Sequence, residues 1–192
     1  PGDPSPRLYS VSSSTSDDVL EVCVRKQAGG VCSTFLHDLR IGDCIDAFIK
    51  PNYEFRPARG RSPIVLIGAG AGIGPLVGFV RRNRGKRSMH LYWGGRDPTS
   101  DFLYEGELSY FLAERKLTRL RTSFSRISTG GYVQDRIAAC RIRIGSLAHI
   151  QCLPHLYLMA RALLPIAVLD LKQQAAALAI GIDKFIQAHD AF

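Results

Sequence analysis

Apolar and polar positions along the chain fall into short blocks whose period changes several times. RLYSVSS at 7–13 alternates in character, and VLEVCVR at 19–25 is mostly apolar; both predict strands, joined by the polar loop SSSTSDD. A Gly29-Gly30 turn precedes CSTFLHDL, which predicts a short helix, and CIDAFIK predicts a further strand. PNYEFRPARGRSP is rich in Pro, Gly and Arg and reads as a linker, which places a boundary near residue 60.

Beyond that boundary, strand and helix patterns alternate. Strand 63–68 leads through a Gly-rich turn to helix 74–83, and strand 88–93 leads to helix 101–114. Strand 118–124 is followed by helix 132–139, strand 147–153 and a helix beginning near 155, while the Ala-, Leu- and Gln-rich stretch 162–192 predicts more helix. Such alternation implies an α/β fold with a doubly wound parallel sheet. Residues 61–192 are therefore read as one domain and residues 1–60 as a smaller β unit before it. PIVLIGAGAGIGPLVGFV at 63–80 is nearly long enough to span a membrane. Its five glycines and two prolines point instead to a strand, a tight turn and a helix, so the chain reads as soluble.

Composition narrows the function classes. A hydrophobic share of 46% over 192 residues supports a packed core and excludes global disorder. Lys and Arg exceed Asp and Glu by 8, in scattered groups such as Arg81, Arg82 and Arg84. That surplus suits an anionic cofactor, an acidic protein or nucleic acid. No nucleic-acid motif accompanies it, so the basic residues are assigned to cofactor phosphates, with Arg81, Arg82 and Arg84 offered to an acidic carrier. Cys23, Cys32, Cys44, Cys140 and Cys152 are odd in number and form no CxxC pair. They speak against a disulfide framework or zinc site and for a reducing, cytoplasmic setting. The chain opens on Pro1 without a signal-like segment and reads as part of something longer.

Three stretches carry candidate chemistry. Gly68 to Gly74, GAGAGIG, follows an apolar strand and opens a helix. Glycines admit a pyrophosphate close to the backbone, and the helix start supplies N–H groups. The spacing departs from G-x-G-x-x-G, which predicts a dinucleotide bound in a variant geometry. Ser125 and Arg126 end a predicted strand, where a guanidinium fork beside a hydroxyl suits a phosphate monoester, and Tyr132 is placed to stack on a purine. Gly30 to Ser33 run from a turn into a helix and form a second anion site, with Arg7 nearby. Two phosphate cradles suggest two nucleotides.

RLYS, CVRK, GVCSTFL, GAGAGIGPL, GGR, DFLY, FSR and YVQ follow one another in the order and spacing of the ferredoxin–NADP reductase superfamily. The chain resembles most the FAD- and NADPH-binding half of diflavin reductases, over roughly residues 5–140. That resemblance implies a β-barrel flavin domain, present here in part, before the NADP-binding domain. It implies FAD and NADPH as cofactors. It also implies electron delivery to a flavodoxin-like or FMN domain, or to an iron–sulfur or haem acceptor, with a membrane involved only through upstream domains.

By the same resemblance, Arg7 would contact the FAD pyrophosphate, Tyr9 would stack on the isoalloxazine and Ser10 would bond near its reactive nitrogen. Cys23 and Arg25 match flavin-contact positions, and Gly30, Val31, Cys32 and Ser33 would cradle the FAD phosphates. Gly70, Ala71 and Gly72 would line the NADP pyrophosphate turn, with Arg96 reaching the same phosphates. Ser125 and Arg126 would take the 2′-phosphate, Tyr132 would stack on the adenine and Gln134 would lie beside it. Ser10 and Cys152 are the catalytic candidates.

The chain departs from the family at several points. Ala71 replaces a frequent Thr, and Gly130-Gly131 stand where Lys is common. In AHIQCLPHLYLMA, Met159-Ala160 fit, but Leu153-Pro154 fall on the family's Cys-Gly pair and Cys152 is one residue early. Phe192 distantly echoes an aromatic that covers the flavin. These departures keep open a second reading, a non-catalytic NADP-binding relic of such a reductase.

Overall fold

The computed structural model describes residues 6–14, 16–53, 55–57 and 59–139, together with the backbone of strands at 149–152 and 177–180. Its core forms around strand β3 (Ile64–Ala69), in which Ile64, Val65, Leu66 and Ile67 are at most 3% exposed. A strand apolar at every position can be satisfied only when both faces are covered and both edges paired. Strand β4 (Met89–Gly95) pairs parallel to it on one edge and β6 (His149–Cys152) on the other, and β5 (Arg119–Phe124) lies beyond β4. The order β5-β4-β3-β6 puts the change of direction between β3 and β6, as expected for a doubly wound sheet.

Side chains alternate across these strands. Ile64, Leu66, Leu91 and Trp93 pack with Leu76, Val77 and Val80 of helix α2 (Gly74–Arg81) and with Leu108 and Phe111 of helix α3 (Glu105–Ala113). Helix α4 (Val133–Ala139) packs against the sheet with Val133 and Ile137 buried. Asn83, just after α2, is buried because its amide donates to the carbonyls of Arg87 and Lys116, both at 2.7 Å.

The N-terminal segment carries strand β1 (Arg7–Ser10), helix α1 (Val31–Asp38) and strand β2 (Ala47–Lys50). Strand β7 (Ala177–Ile180) lies between β1 and β2, antiparallel to both, so that Tyr9 and Ile49 each face Leu178. Among the described residues, this three-stranded sheet stands where a partial barrel is expected.

Two secondary-structure expectations need correction. Residues 19–25 form no strand: Val22 only bridges Val11, and the Glu21 N–H donates to Ser13 Oγ at 3.0 Å. A side-chain hydroxyl has taken the place of a ladder carbonyl. Residues 177–180 are strand rather than helix, because two open edges offer them hydrogen bonds that outweigh the helix preference of alanine and leucine. The helix expected from 155, most of 162–192, Cys140, Met159 and Phe192 lie outside the described residues.

Helix α2 is also fastened to the N-terminal segment. A Cβ on Gly78 would lie 2.8 Å from the Ser12 carbonyl oxygen. Arg81 donates from Nε and Nη2 to the two Glu107 oxygens at 2.7 and 2.8 Å, from Nη1 to the Ser12 carbonyl at 3.0 Å, and from Nη2 to Glu21 at 3.2 Å. Ser12 and Tyr104 hydroxyls donate to the same Glu21 carboxylate at 2.7 and 2.9 Å. Arg81 is therefore a structural residue of the interior seam, which corrects its assignment to a carrier-docking surface.

Replacing Gly78 by Ala should cost about 1–3 kcal/mol despite the better helix propensity, because backbone oxygen occupies the space. Gly106→Ala, in an exposed turn of α3 with nothing within 4 Å, should instead gain about 0.5 kcal/mol, both read by urea denaturation. Burial pushes the Glu21 carboxyl up, but the Ser12, Arg81 and Tyr104 donors outweigh it and hold the group below its ordinary value. The stability it contributes is present above its unfolded value of 4.5 and is lost as pH falls through the lowered one. The urea midpoint of the wild type should thus drop more steeply on acidification than that of Arg81→Ala.

Candidate functional site

The carboxyl edge of the parallel sheet gathers half of the residues singled out by sequence. At the end of β3, Gly70 has φ +52°, in the left-handed region open to glycine, and the chain turns through a 3-10 helix (Gly70–Ile73) into α2. Gly68 brings helix and strand together: a Cβ there would lie 2.8 Å from Leu76 Cδ1. Around Gly70 no atom lies within 4 Å of where a Cβ would be, so the turn is open on that side. The first turn of α2 holds no acidic residue, which leaves the positive end of its dipole unopposed locally.

The turn is held from beneath by Trp93, a residue that sequence reasoning missed. Its indole N–H donates to the Gly70 carbonyl at 3.0 Å, and its fully buried ring stacks on Phe102 at 5.4 Å and meets Phe124 edge-on at 5.9 Å. The available signal was a lone tryptophan placed just before Gly94-Gly95-Arg96 at a strand end. A Cβ on Gly95 would sit 2.7 Å from the Trp93 ring, so that glycine is required by packing.

Beside the turn, β4 and β5 end together. The Ser125 N–H donates to the Gly95 carbonyl at 3.1 Å and the Arg126 N–H to the Arg96 carbonyl at 2.8 Å, which sets the two arginines on adjacent chain ends. Both are exposed, and neither guanidinium has a carboxylate partner among the described residues. The following loop closes tightly: a Cβ on Gly130 would lie 2.6 Å from the Ile127 carbonyl and 2.7 Å from that of Phe124. A lysine cannot occupy 130 in this loop, which gives a steric reason for glycine at that departure. Tyr132 is 61% exposed, and its N–H is capped by Asp135 Oδ2 at 2.8 Å, next to Gln134 in α4. Cys152 closes β6 with its Cα paired to Ile67, on the same edge.

The remaining candidates lie in the N-terminal segment. Arg7 is exposed on β1, with Tyr9 and Ser10 half-buried. Burial, and next a hydrogen bond with the Cys32 thiol, push the Tyr9 hydroxyl up to about 12, so it stays protonated at neutral pH. Cys32 is buried among Tyr9, Val11, Val22, Leu36 and Ile45. Ser33 Oγ accepts the Gln27 N–H at 3.0 Å and donates to the Gly30 carbonyl at 3.3 Å, closing the turn before α1. Val31 is 73% exposed at the start of that helix, whose first turn contains no acidic residue. Arg25 is exposed, while Cys23 is half-buried, its thiol pushed up by burial, with its Cβ 3.4 Å from where a Gly74 Cβ would lie.

Residues 66–147 match the family described as an oxidoreductase NAD-binding domain. Similarity to full-length proteins extends over 69% of the chain. NADPH oxidoreductase A of Dictyostelium discoideum is 36% identical, with 23% of its length covered. The sulfite reductase [NADPH] flavoprotein alpha-component of Vibrio vulnificus is 34% identical, with 24% of its length covered. Over this stretch the chain is similar to NADPH-dependent reductases of the ferredoxin–NADP reductase type. It spans about a quarter of the length of these relatives. A similar fold is seen in the crystal structure of a mutant ferredoxin–NADP+ reductase from Plasmodium falciparum with 2′P-AMP. The two match at a TM-score of 0.61 and 23% identity, over 85% of this chain and 73% of that one.

Trp93→Phe keeps an aromatic ring but deletes the donor to Gly70, so the glycine turn should loosen by about 1 kcal/mol. Amide hydrogen exchange over 71–74 should speed up by roughly fivefold, while the centre of β3 keeps its protection.

Proposed function

We propose that the chain is the cofactor-binding part of an FAD-containing NADPH reductase, with residues 1–60 serving the flavin and 61–192 the nicotinamide nucleotide. One observation carries this reading: an open glycine turn and two arginines without carboxylate partners among the described residues meet at one sheet edge. Those features fit a dinucleotide that brings a pyrophosphate and a 2′-phosphate. Gly70, Ala71, Gly72 and Arg96 hold the pyrophosphate, and Ser125 and Arg126 hold the 2′-phosphate by charge-assisted bonds. Tyr132 stacks on the adenine, with Gln134 beside it. Cys152, at the end of β6, stands nearest the nicotinamide.

The N-terminal residues fit a flavin nucleotide. Val31 is exposed at a helix start that has no acidic residue, and the exposed Arg7 supplies a cation on β1 without a carboxylate partner among the described residues. Gly30, Val31, Cys32 and Ser33 offer the backbone of that helix start to the FAD phosphates. Tyr9, held protonated against Cys32, presents its ring, and Ser10 its hydroxyl; Cys23 and Arg25 flank them. With both cofactors bound, the chemistry supplied is hydride transfer from NADPH to the flavin and one-electron delivery onward. The protein aligns the two rings and shields them. The onward acceptor is a flavodoxin-like or FMN domain, or an iron–sulfur or haem protein, in the cytoplasm. Among the described residues no helix is long and apolar enough to cross a membrane. The second reading, a nucleotide-binding module without turnover, is favoured by Ser33 Oγ being spent on its own turn.

The sole tryptophan lies 3.0 Å from the glycine-turn carbonyl, so its fluorescence should report binding directly. Titration with NADP+ should saturate at lower concentration than with NAD+. Arg126→Ala should weaken NADP+ by about tenfold and NAD+ by less than twofold, since only the former loses a charge-assisted bond. Equal loss for both nucleotides would remove Arg126 from the 2′-phosphate site. NADPH-driven ferricyanide reduction that requires added FAD supports the reductase; NADP+ binding without FAD-dependent turnover supports the second reading.

A further inference from the structure

Helix α2 touches the N-terminal segment at three levels. At Gly74 a Cβ would lie 3.3 Å from Ser12 Cβ and 3.4 Å from Cys23 Cβ, and at Gly78 it would lie 2.8 Å from the Ser12 carbonyl. At the helix end, Arg81 holds that same Ser12 carbonyl at 3.0 Å and the Glu21 carboxylate at 3.2 Å. The guanidinium is itself fixed by the bidentate pair with Glu107 of α3, and Tyr104 braces Glu21 from the other side.

Position in the chain gives this knot its meaning. Ser12 lies two residues beyond Ser10, and Glu21 lies two residues before Cys23. The opposite end of α2 is the Gly70–Ile73 turn. One short helix thus runs from the phosphate turn of one proposed site to the backbone that supports the other, with glycine contacts too close to slide. We propose that Arg81 couples the two nucleotide sites, so that occupation of the flavin side tightens binding on the nicotinamide side. This rests on the two-nucleotide reading above.

The coupling works by ordering. A ligand against β1 and Cys23 restrains the Ser12 and Glu21 backbone; through Arg81, that restraint fixes the end of α2 and hence the Gly70–Ile73 turn. The second ligand then meets a turn with less freedom left to lose, and linkage requires the effect to be reciprocal. Arg81 is a positioning residue: it acts through Ser12, Glu21 and α2 and touches neither nucleotide.

The test is calorimetric titration of the full chain with 2′,5′-ADP, in the absence and presence of saturating FAD. In the wild type, FAD should tighten 2′,5′-ADP by about five- to tenfold, at the lower end of usual coupling strengths. Arg81→Ala should bring that factor close to one while leaving the FAD-free affinity within twofold, a split that general loosening of the fold would not produce. Arg81→Lys keeps a cation toward Glu107 and should restore part of the factor. Glu21→Gln keeps the side-chain shape and the Ser12 and Tyr104 contacts; it gives a well-folded second variant and should reduce the factor by at least half. Both ligands binding independently in the wild type, or a factor that survives in Arg81→Ala and Glu21→Gln alike, would overturn the coupling alone. Failure of the wild type to bind either ligand would overturn the two-nucleotide reading and the coupling with it.

Discussion

Helix α2 lies against β3 on one side and against Ser12 and Cys23 on the other, and glycine stands at each contact. Gly68 lets Leu76 reach the strand, Gly74 meets the Cβ atoms of Ser12 and Cys23 closely, and Gly78 lets the Ser12 carbonyl come within a distance that no Cβ would permit. Packing this close leaves the helix little room to shift, because filling the gap with even one methyl would force backbone oxygen aside. The placement of the glycine turn, the seam with the N-terminal segment and the level of the sheet edge all follow from that contact.

The arginines of this chain have opposite fates according to what surrounds them. Arg81 is enclosed by two carboxylates, a carbonyl and an aromatic ring, and its charge is consumed in holding the molecule together. Arg96 and Arg126 stand at a sheet edge without carboxylate partners among the described residues. A cation left exposed beside a turn of unopposed N–H groups makes a local positive field, which attracts anions and weakens as salt is added. The net charge of +8 thus understates how unevenly the charge is disposed.

What was legible in the sequence depended on how locally each feature was determined. The strand, turn and helix at 64–81 follow from an apolar run, a glycine cluster and Pro75, all within one window. The alternation through β5 is equally local. Residues 19–25 misled because their apolar pattern suits a strand, while the pairing was decided by Ser13 reaching across to Glu21. The strand at 177–180 was hidden because its partners, β1 and β2, lie at the other end of the chain. Arg81 looked like its neighbours Arg82 and Arg84, and only tertiary structure brings Glu21 and Glu107 to it. The phosphate-binding candidates were legible from glycine turns and an Arg beside a hydroxyl, whereas the roles expected of Tyr9, Ser10, Cys23, Arg25 and Cys152 came only from family resemblance, since single serines, cysteines and arginines carry no signature of their own.

The antiparallel sheet joins β1 and β2 through β7, a strand that lies far beyond them in the chain. During synthesis, β1 and β2 emerge from the ribosome long before β7 can reach them, so their hydrogen-bonding edges wait unpaired while the parallel layer assembles. High contact order of this kind slows folding and leaves sticky intermediates. Strands β1 and β2 are therefore made well before their partner and completed late, and nascent-chain quality control has its longest opportunity there.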